Sequence, residues 1–179
     1  RNEFWTMVQD YQCSAIVMLC PFSMLGKDEM YTPSSLGEEM EFENCSVEIE
    51  ETYLEGIVVI NDLLVSKKGK TQKVRQFSLS EKMDASNAPQ ICVALHGLVE
   101  RWQQQMGQTK VVVHCMDGAQ WTGIFCAATC LFDQTNLEHE VDVFEMAQKL
   151  KTCRPNFFSS QEQYELLYHT VGYYLQQFQ

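Results

Sequence analysis

The stretch Val111-Val112-Val113-His114-Cys115-Met116-Asp117-Gly118-Ala119-Gln120-Trp121-Thr122-Gly123 brings an imidazole, a thiol, a carboxylate and a hydroxyl close together along the chain. Its β-branched run reads as a buried strand, the residues from Met116 as a short loop, and those from Gly123 as a helix. A strand that feeds a helix through a tight loop converges successive backbone N–H groups on one point, with the positive end of the helix behind them. Such a cradle holds an anion and favours a thiolate, which makes Cys115 a candidate nucleophile. A small core residue is the plainer reading of a cysteine at a strand end.

This wording resembles the protein tyrosine phosphatase family, whose signature is His-Cys-x-x-Gly-x-x-Arg-Ser/Thr-Gly. His114, Cys115, Gly118, Thr122 and Gly123 fall in place. Phe4-Trp5-x-Met7, Ile16-Val17-Met18-Leu19, Val74-Arg75-Gln76-Phe77 and Gln163-Tyr164 resemble further family landmarks, in the family's order. The resemblance covers residues 1–179 as one domain. The family's first part, with the loop that recognises the phosphotyrosine ring, has no counterpart before Arg1. By resemblance, Cys115, Met116, Asp117, Gly118, Ala119, Gln120 and Trp121 form the phosphate loop, and His114, Thr122, Asp84 and Gln163 are the remaining catalytic positions.

Several of these positions depart from the family pattern. Trp121 stands where the family has the arginine that clamps the phosphoryl oxygens through two charge-assisted bonds. At ~1.5–3 kcal/mol per bond, its loss removes roughly 3–6 kcal/mol of binding, and more in the transition state. Asp117 replaces a small neutral residue; at ~5 Å and an effective dielectric of ~20 it repels each unit of phosphate charge by roughly 3 kcal/mol and works against a thiolate. Asp84, in Lys82-Met83-Asp84, resembles the family's Trp-Pro-Asp general acid without its tryptophan and proline, in a loop one residue longer before Pro89. A solvated loop aspartate is the plainer reading. Gln163 matches the second glutamine of the family's Gln-Thr-x-x-Gln-Tyr, the first having become Ser159; it also reads as a surface residue at a helix start.

The set resembles the catalytically silent, membrane-distal domain of receptor-type tyrosine phosphatases, with Asp117 to Ala127 worded like that of the leukocyte common antigen. The resemblance implies a pseudophosphatase domain with a regulatory or scaffolding role in phosphotyrosine signalling. It implies an active phosphatase domain on the same or a neighbouring receptor chain as partner, further signalling proteins, and a cytoplasmic place beneath a single-pass receptor. Two other readings stay open. One is a weakly active cysteine-dependent phosphatase in which Lys110 or Arg154 replaces the missing cation. The other is a peptide-docking module that uses the acidic runs Glu38-Glu39-Met40-Glu41-Phe42-Glu43 and Glu48, Glu50 and Glu51, although such runs are usually solvated faces. No cofactor or metal is implied.

The elements that must position the loop follow from periodicity. A short helix over 3–12 has Phe4, Met7 and Val8 on one face, and Ala15 to Leu19 reads as a strand buried on both sides. Residues 20–44 read as loop with one short element. Cys45 to Phe77 alternates in β fashion, with a hairpin turn at Lys67-Lys68-Gly69-Lys70, and gives an antiparallel meander. Ile91, Leu95, Leu98, Val99, Trp102 and Met106 trace one helical face; Val143, Phe144, Ala147 and Leu150 mark another helix, and Tyr164, Leu167, Tyr168, Val171, Tyr174 and Leu175 the last. The fold class is α/β (α+β): a central mixed twisted sheet with a meander, flanked by helices.

Composition sets the outer bounds. The 179 residues carry 24 acidic and 13 basic side chains, for a formal charge of −11. That balance argues against nucleic-acid binding and mildly against polyanionic substrates. Eight cysteines lie mostly inside apolar runs without Cys-x-x-Cys spacing, which fits reduced core thiols. Asn44-Cys45-Ser46 is a sequon at odds with that reading. No apolar stretch approaches the ~20 residues that span a bilayer, so no membrane insertion is expected of this segment.

Overall fold

The computed structural model describes residues 1–177. Their order is α1 (Asn2–Asp10), β1 (Cys13–Met18), a 3-10 turn (Phe22–Met24), β2 (Glu39–Glu41), β3 (Ser46–Glu55), β4 (Val58–Lys67), β5 (Lys70–Leu79), α2 (Ala88–Met106), β6 (Lys110–His114), α3 (Gln120–Glu138), α4 (Val143–Cys153) and α5 (Gln161–Gln176). The six strands form one mixed sheet in the order β2-β3-β4-β5-β1-β6. β2 to β5 pair antiparallel and β1 lies parallel to β5. The expected mixed sheet with its meander is therefore present, and β2 adds a fourth meander strand from within the segment read as loop.

The chain groups into two compact units: Arg1–Lys82 with Val99–Val112, and Met83–Leu98 with the residues from Val113 onward. In the first unit the hairpins close on chemistry the sequence supplies. Lys68 and Gly69 both take positive φ (+49° and +78°) between β4 and β5, as a two-residue turn with right-handed strand twist requires. β1 is buried at all positions, in keeping with its place between β5 and β6. Consecutive strand residues face opposite sides of a sheet, and β5 shows it. Val74 joins Trp5 and Val8 of α1 in an apolar cluster. Arg75 makes a two-pronged ion pair with Asp62 (2.6 and 2.7 Å) and lies 3.9 Å over the Trp102 ring of α2. Helices thus cover both faces of this part of the sheet.

Several details of this unit and of the helices differ from the periodicity. α1 buries Trp5 and Val8 while Met7 is exposed, because Trp5 buries its ring and also donates its indole N–H to Tyr31 O at 2.8 Å, which fixes the helix's rotation. β6 is half-buried rather than buried, as its terminal position in the sheet order dictates. Phe144 and Met106, expected on buried faces, are 58% and 39% exposed.

In the second unit α3 packs against α4 and α5. Its buried face runs from Thr122 through Ala128 to Leu131 and Phe132, and Phe132 stacks on Tyr174 of α5 at 4.0 Å. A Cβ on Gly123 would meet the Phe157 ring at 2.9 Å, so glycine here permits close approach. In α5 Leu167, Val171 and Tyr174 are buried as expected, whereas Tyr168 is exposed and Leu166 and Thr170 take buried places.

Candidate functional site

The loop joins the end of β6 to the start of α3, so the expected strand, loop and helix are in place. Gly118 turns the chain at φ +63°, a conformation that only glycine adopts without strain. Cys115 is 8% exposed. Its thiol donates to Asp117 Oδ1 (3.1 Å), and Thr122 Oγ1 donates to its sulfur at 3.0 Å. His114 is half-buried at the strand end; burial pushes its pKa down, opposed by a backbone bond to Cys115. Met116 is exposed, and Trp121 is half-buried at the second position of α3.

Asp117 governs the loop's electrostatics. Its Oδ1 accepts from the backbone N–H of Ala119 at 2.9 Å and of Gln120 at 3.1 Å. These are amides at the N-terminus of α3, where the helix dipole is positive. Burial opposes the charge on Asp117, but the Ala119 amide, the Cys115 thiol and the Gln120 amide outweigh it and hold the carboxyl below its ordinary range. The amides that the sequence marked as an anion cradle thus already serve a carboxylate of the chain. Asp117 acts as an N-cap placed two residues before the helix's own cap residue, Ala119, whose side chain has no oxygen to offer.

The sequence left Lys110 and Arg154 as possible replacement cations. Lys110 Nζ lies 4.7 Å from the Tyr11 ring. Arg154, the C-cap residue of α4, puts Nη2 only 3.0 Å from the point that a Cβ on Gly118 would occupy. A guanidinium therefore does lie against the loop, on the strength of a tertiary contact that no local spacing could have announced.

Asp84 and Gln163 are tied to helix starts. Asp84 Oδ1 accepts from Ser86 N (2.7 Å), Ser86 Oγ (2.6 Å) and Asn87 N (3.2 Å), and Asn87 Oδ1 accepts from Asp84 N at 2.8 Å. This is an Asx turn leading into α2. Gln163 N donates to Ser160 Oγ at 3.3 Å, and Gln163 Oε1 accepts from Ser159 N at 3.1 Å. Ser160-x-x-Gln163 is close to a capping box, a signal the sequence did carry. Among the described residues no group of three or more His, Cys, Asp or Glu side chains is placed to hold a metal. All eight cysteines are free thiols; burial and a neighbouring Cys130 and Cys115 push Cys126 up to about 12.

A buried thiol in a strand–loop–helix turn, with a hydroxyl on its sulfur and a glycine at positive φ beyond it, is compatible with a phosphatase-type cysteine loop. The family model described as protein-tyrosine phosphatase matches residues 1–173, and the chain belongs to that family. It is 28% identical over 99% of its length to receptor-type tyrosine-protein phosphatase alpha of Homo sapiens, covering 23% of that protein. It is 28% identical over 98% of its length to receptor-type tyrosine-protein phosphatase U of Gallus gallus, covering 13% of it. With receptor-type tyrosine-protein phosphatase epsilon of Rattus norvegicus the identity is 27% over 95% of this chain and 26% of the relative. The chain therefore spans about a quarter or less of these relatives. Among the described residues no helix is long and apolar enough to cross a membrane.

Proposed function

We infer that this chain is a catalytically silent phosphatase domain of a receptor-type tyrosine phosphatase, acting by contact within phosphotyrosine signalling. The observation that carries the reading is Asp117: its carboxylate accepts the Ala119 and Gln120 amides and the Cys115 thiol proton. A phosphoryl dianion entering the loop would meet a negative charge where donors are needed, and Trp121 supplies no cation to oppose it. Of the other catalytic positions inferred by resemblance, Asp84 and Gln163 each have a side-chain oxygen engaged in a local turn. The partner of such a domain is the active phosphatase domain of the same or a neighbouring receptor chain, with signalling proteins beside it, on the cytoplasmic side of the membrane.

A second reading rests on Arg154. Its guanidinium against Gly118 gives a weakly active, cysteine-dependent phosphatase a possible cation. Titration calorimetry with inorganic phosphate separates the two. The silent reading expects no binding to the wild type at millimolar phosphate and measurable heat for Trp121→Arg. The weakly active reading expects wild-type binding that Arg154→Ala abolishes.

A further inference from the structure

We propose that the edge of β3 from Glu50 to Glu55, which among the described residues pairs with no strand on that side, is a docking site for an extended basic segment of a partner protein, which adds to the sheet as a further strand. β4 pairs with β3 along its whole length, whereas β2 reaches only Ser46 to Glu48 on the other side. The Gly37 amide donates to Ile49 O (3.1 Å) and ends that cover. Beyond it the ladder shifts register between Ile49 and Glu51, and Glu50 to Glu55 are all exposed. A two-residue turn, opened by Gly56 at φ +62°, joins Glu55 to Val58. In such a hairpin the closing pair is hydrogen-bonded, so the alternation directs the N–H and C=O groups of Thr52 and Leu54 outward. An edge of this kind is a template for another strand.

The side chains specify the occupant. Glu50, Glu51 and Glu55 lie on the edge itself, with Glu48 opposite Glu39 just beyond it. The two ion pairs at the edge, Glu50 with Lys73 at 3.5 Å and Glu55 with Arg101 at 2.8 Å, join exposed side chains and are readily exchanged. Lysine or arginine at alternate positions of an incoming strand complements this charge. Charge alone would serve to keep other strands away, but the same edge leaves Leu54 62% and Tyr53 39% exposed. Large apolar side chains on either face of an open edge are what an added strand covers. The site is independent of the cysteine loop and holds whether or not Cys115 turns over phosphate.

The test uses the whole chain and two eight-residue probes, one alternating lysine with valine and one alternating glutamate with valine. Nuclear magnetic resonance at low salt should show the lysine peptide binding while the glutamate peptide does not. Exchange of the Thr52 and Leu54 amides should slow about tenfold or more on binding. Glu51→Lys should weaken binding about tenfold, added salt should weaken it further, and Leu54→Pro, which removes an outward N–H, should abolish amide protection. The proposal is overturned if the lysine peptide fails to bind, if it binds without protecting these amides, or if Glu51→Lys binds it as well as the wild type does.

Discussion

Replacing Asp117 by alanine separates the two jobs its carboxylate performs. As a cap it accepts the Ala119 and Gln120 amides, and loss of an N-cap acceptor costs about 0.5–2 kcal/mol. For a domain of this size that lowers the melting temperature by roughly 2–6 °C. As a charge in the loop it opposes any incoming anion. Asp117 is exposed, so its repulsion lies between ~1 kcal/mol per unit charge in a water-like dielectric and ~3 kcal/mol at an effective dielectric near 20. Removing it should therefore raise phosphate affinity about 5-fold to about 150-fold for each unit of phosphate charge, most visibly in the Asp117→Ala, Trp121→Arg double variant, which also gains a cation. The assay is a thermal melt with and without 10 mM inorganic phosphate, paired with calorimetry. The expected signature is a lower melting temperature without phosphate and a larger upward shift with it. The single variant should also lose part of the wild type's stability change at low pH. A carboxyl held below its ordinary range in the folded state stabilises above its unfolded value and loses that contribution as pH falls through the folded one. A variant as stable as the wild type and equally indifferent to phosphate would refute the seating of Asp117 on those amides.

Other perturbations probe the frame around the loop. Gly123→Ala adds a Cβ 2.9 Å from Phe157 Cγ; overpacking of about 1–3 kcal/mol should exceed the gain of up to about 1 kcal/mol in helix propensity, so the urea midpoint falls, and a rise would contradict the contact. His114 has its pKa lowered by burial, so its neutral form's contribution is complete above the unfolded value near ~6.5 and fades as pH drops through the folded value. His114→Gln should flatten that part of the stability profile between pH 7.5 and 5.5, and an unchanged slope would argue against it. Maleimide labelling of the native chain should reach the exposed Cys153 before Cys126 and Cys92, both pushed up chiefly by burial; early modification of Cys92, followed by mass spectrometry, would contradict that order.

The framework was largely legible because its signals are local. The apolar run at Ala15 to Leu19, the β alternation from Val47 to Phe77 and the Lys68-Gly69 turn each depend on neighbours in sequence, and each element lies where expected. Periodicity gives a helix an apolar side without fixing how it is rotated against its neighbours, which is why Met7 and Phe144 are exposed and Leu166 is buried. The turn between β6 and α3 was readable from residue type and spacing, and Asp117 as a charge within it. Its role as acceptor for the Ala119 and Gln120 amides needed the geometry of the turn. Arg154 could be named as a cation, but its approach to Gly118 depends on how α4 returns to the loop, which no local pattern encodes.

The central claim, that Cys115 no longer handles phosphate, is tested most directly by following release of p-nitrophenol from p-nitrophenyl phosphate by the wild-type chain and its Cys115→Ser variant under reducing conditions. The account predicts that the two give the same rate, equal to that of buffer alone. Turnover by the wild type that disappears in Cys115→Ser would contradict it.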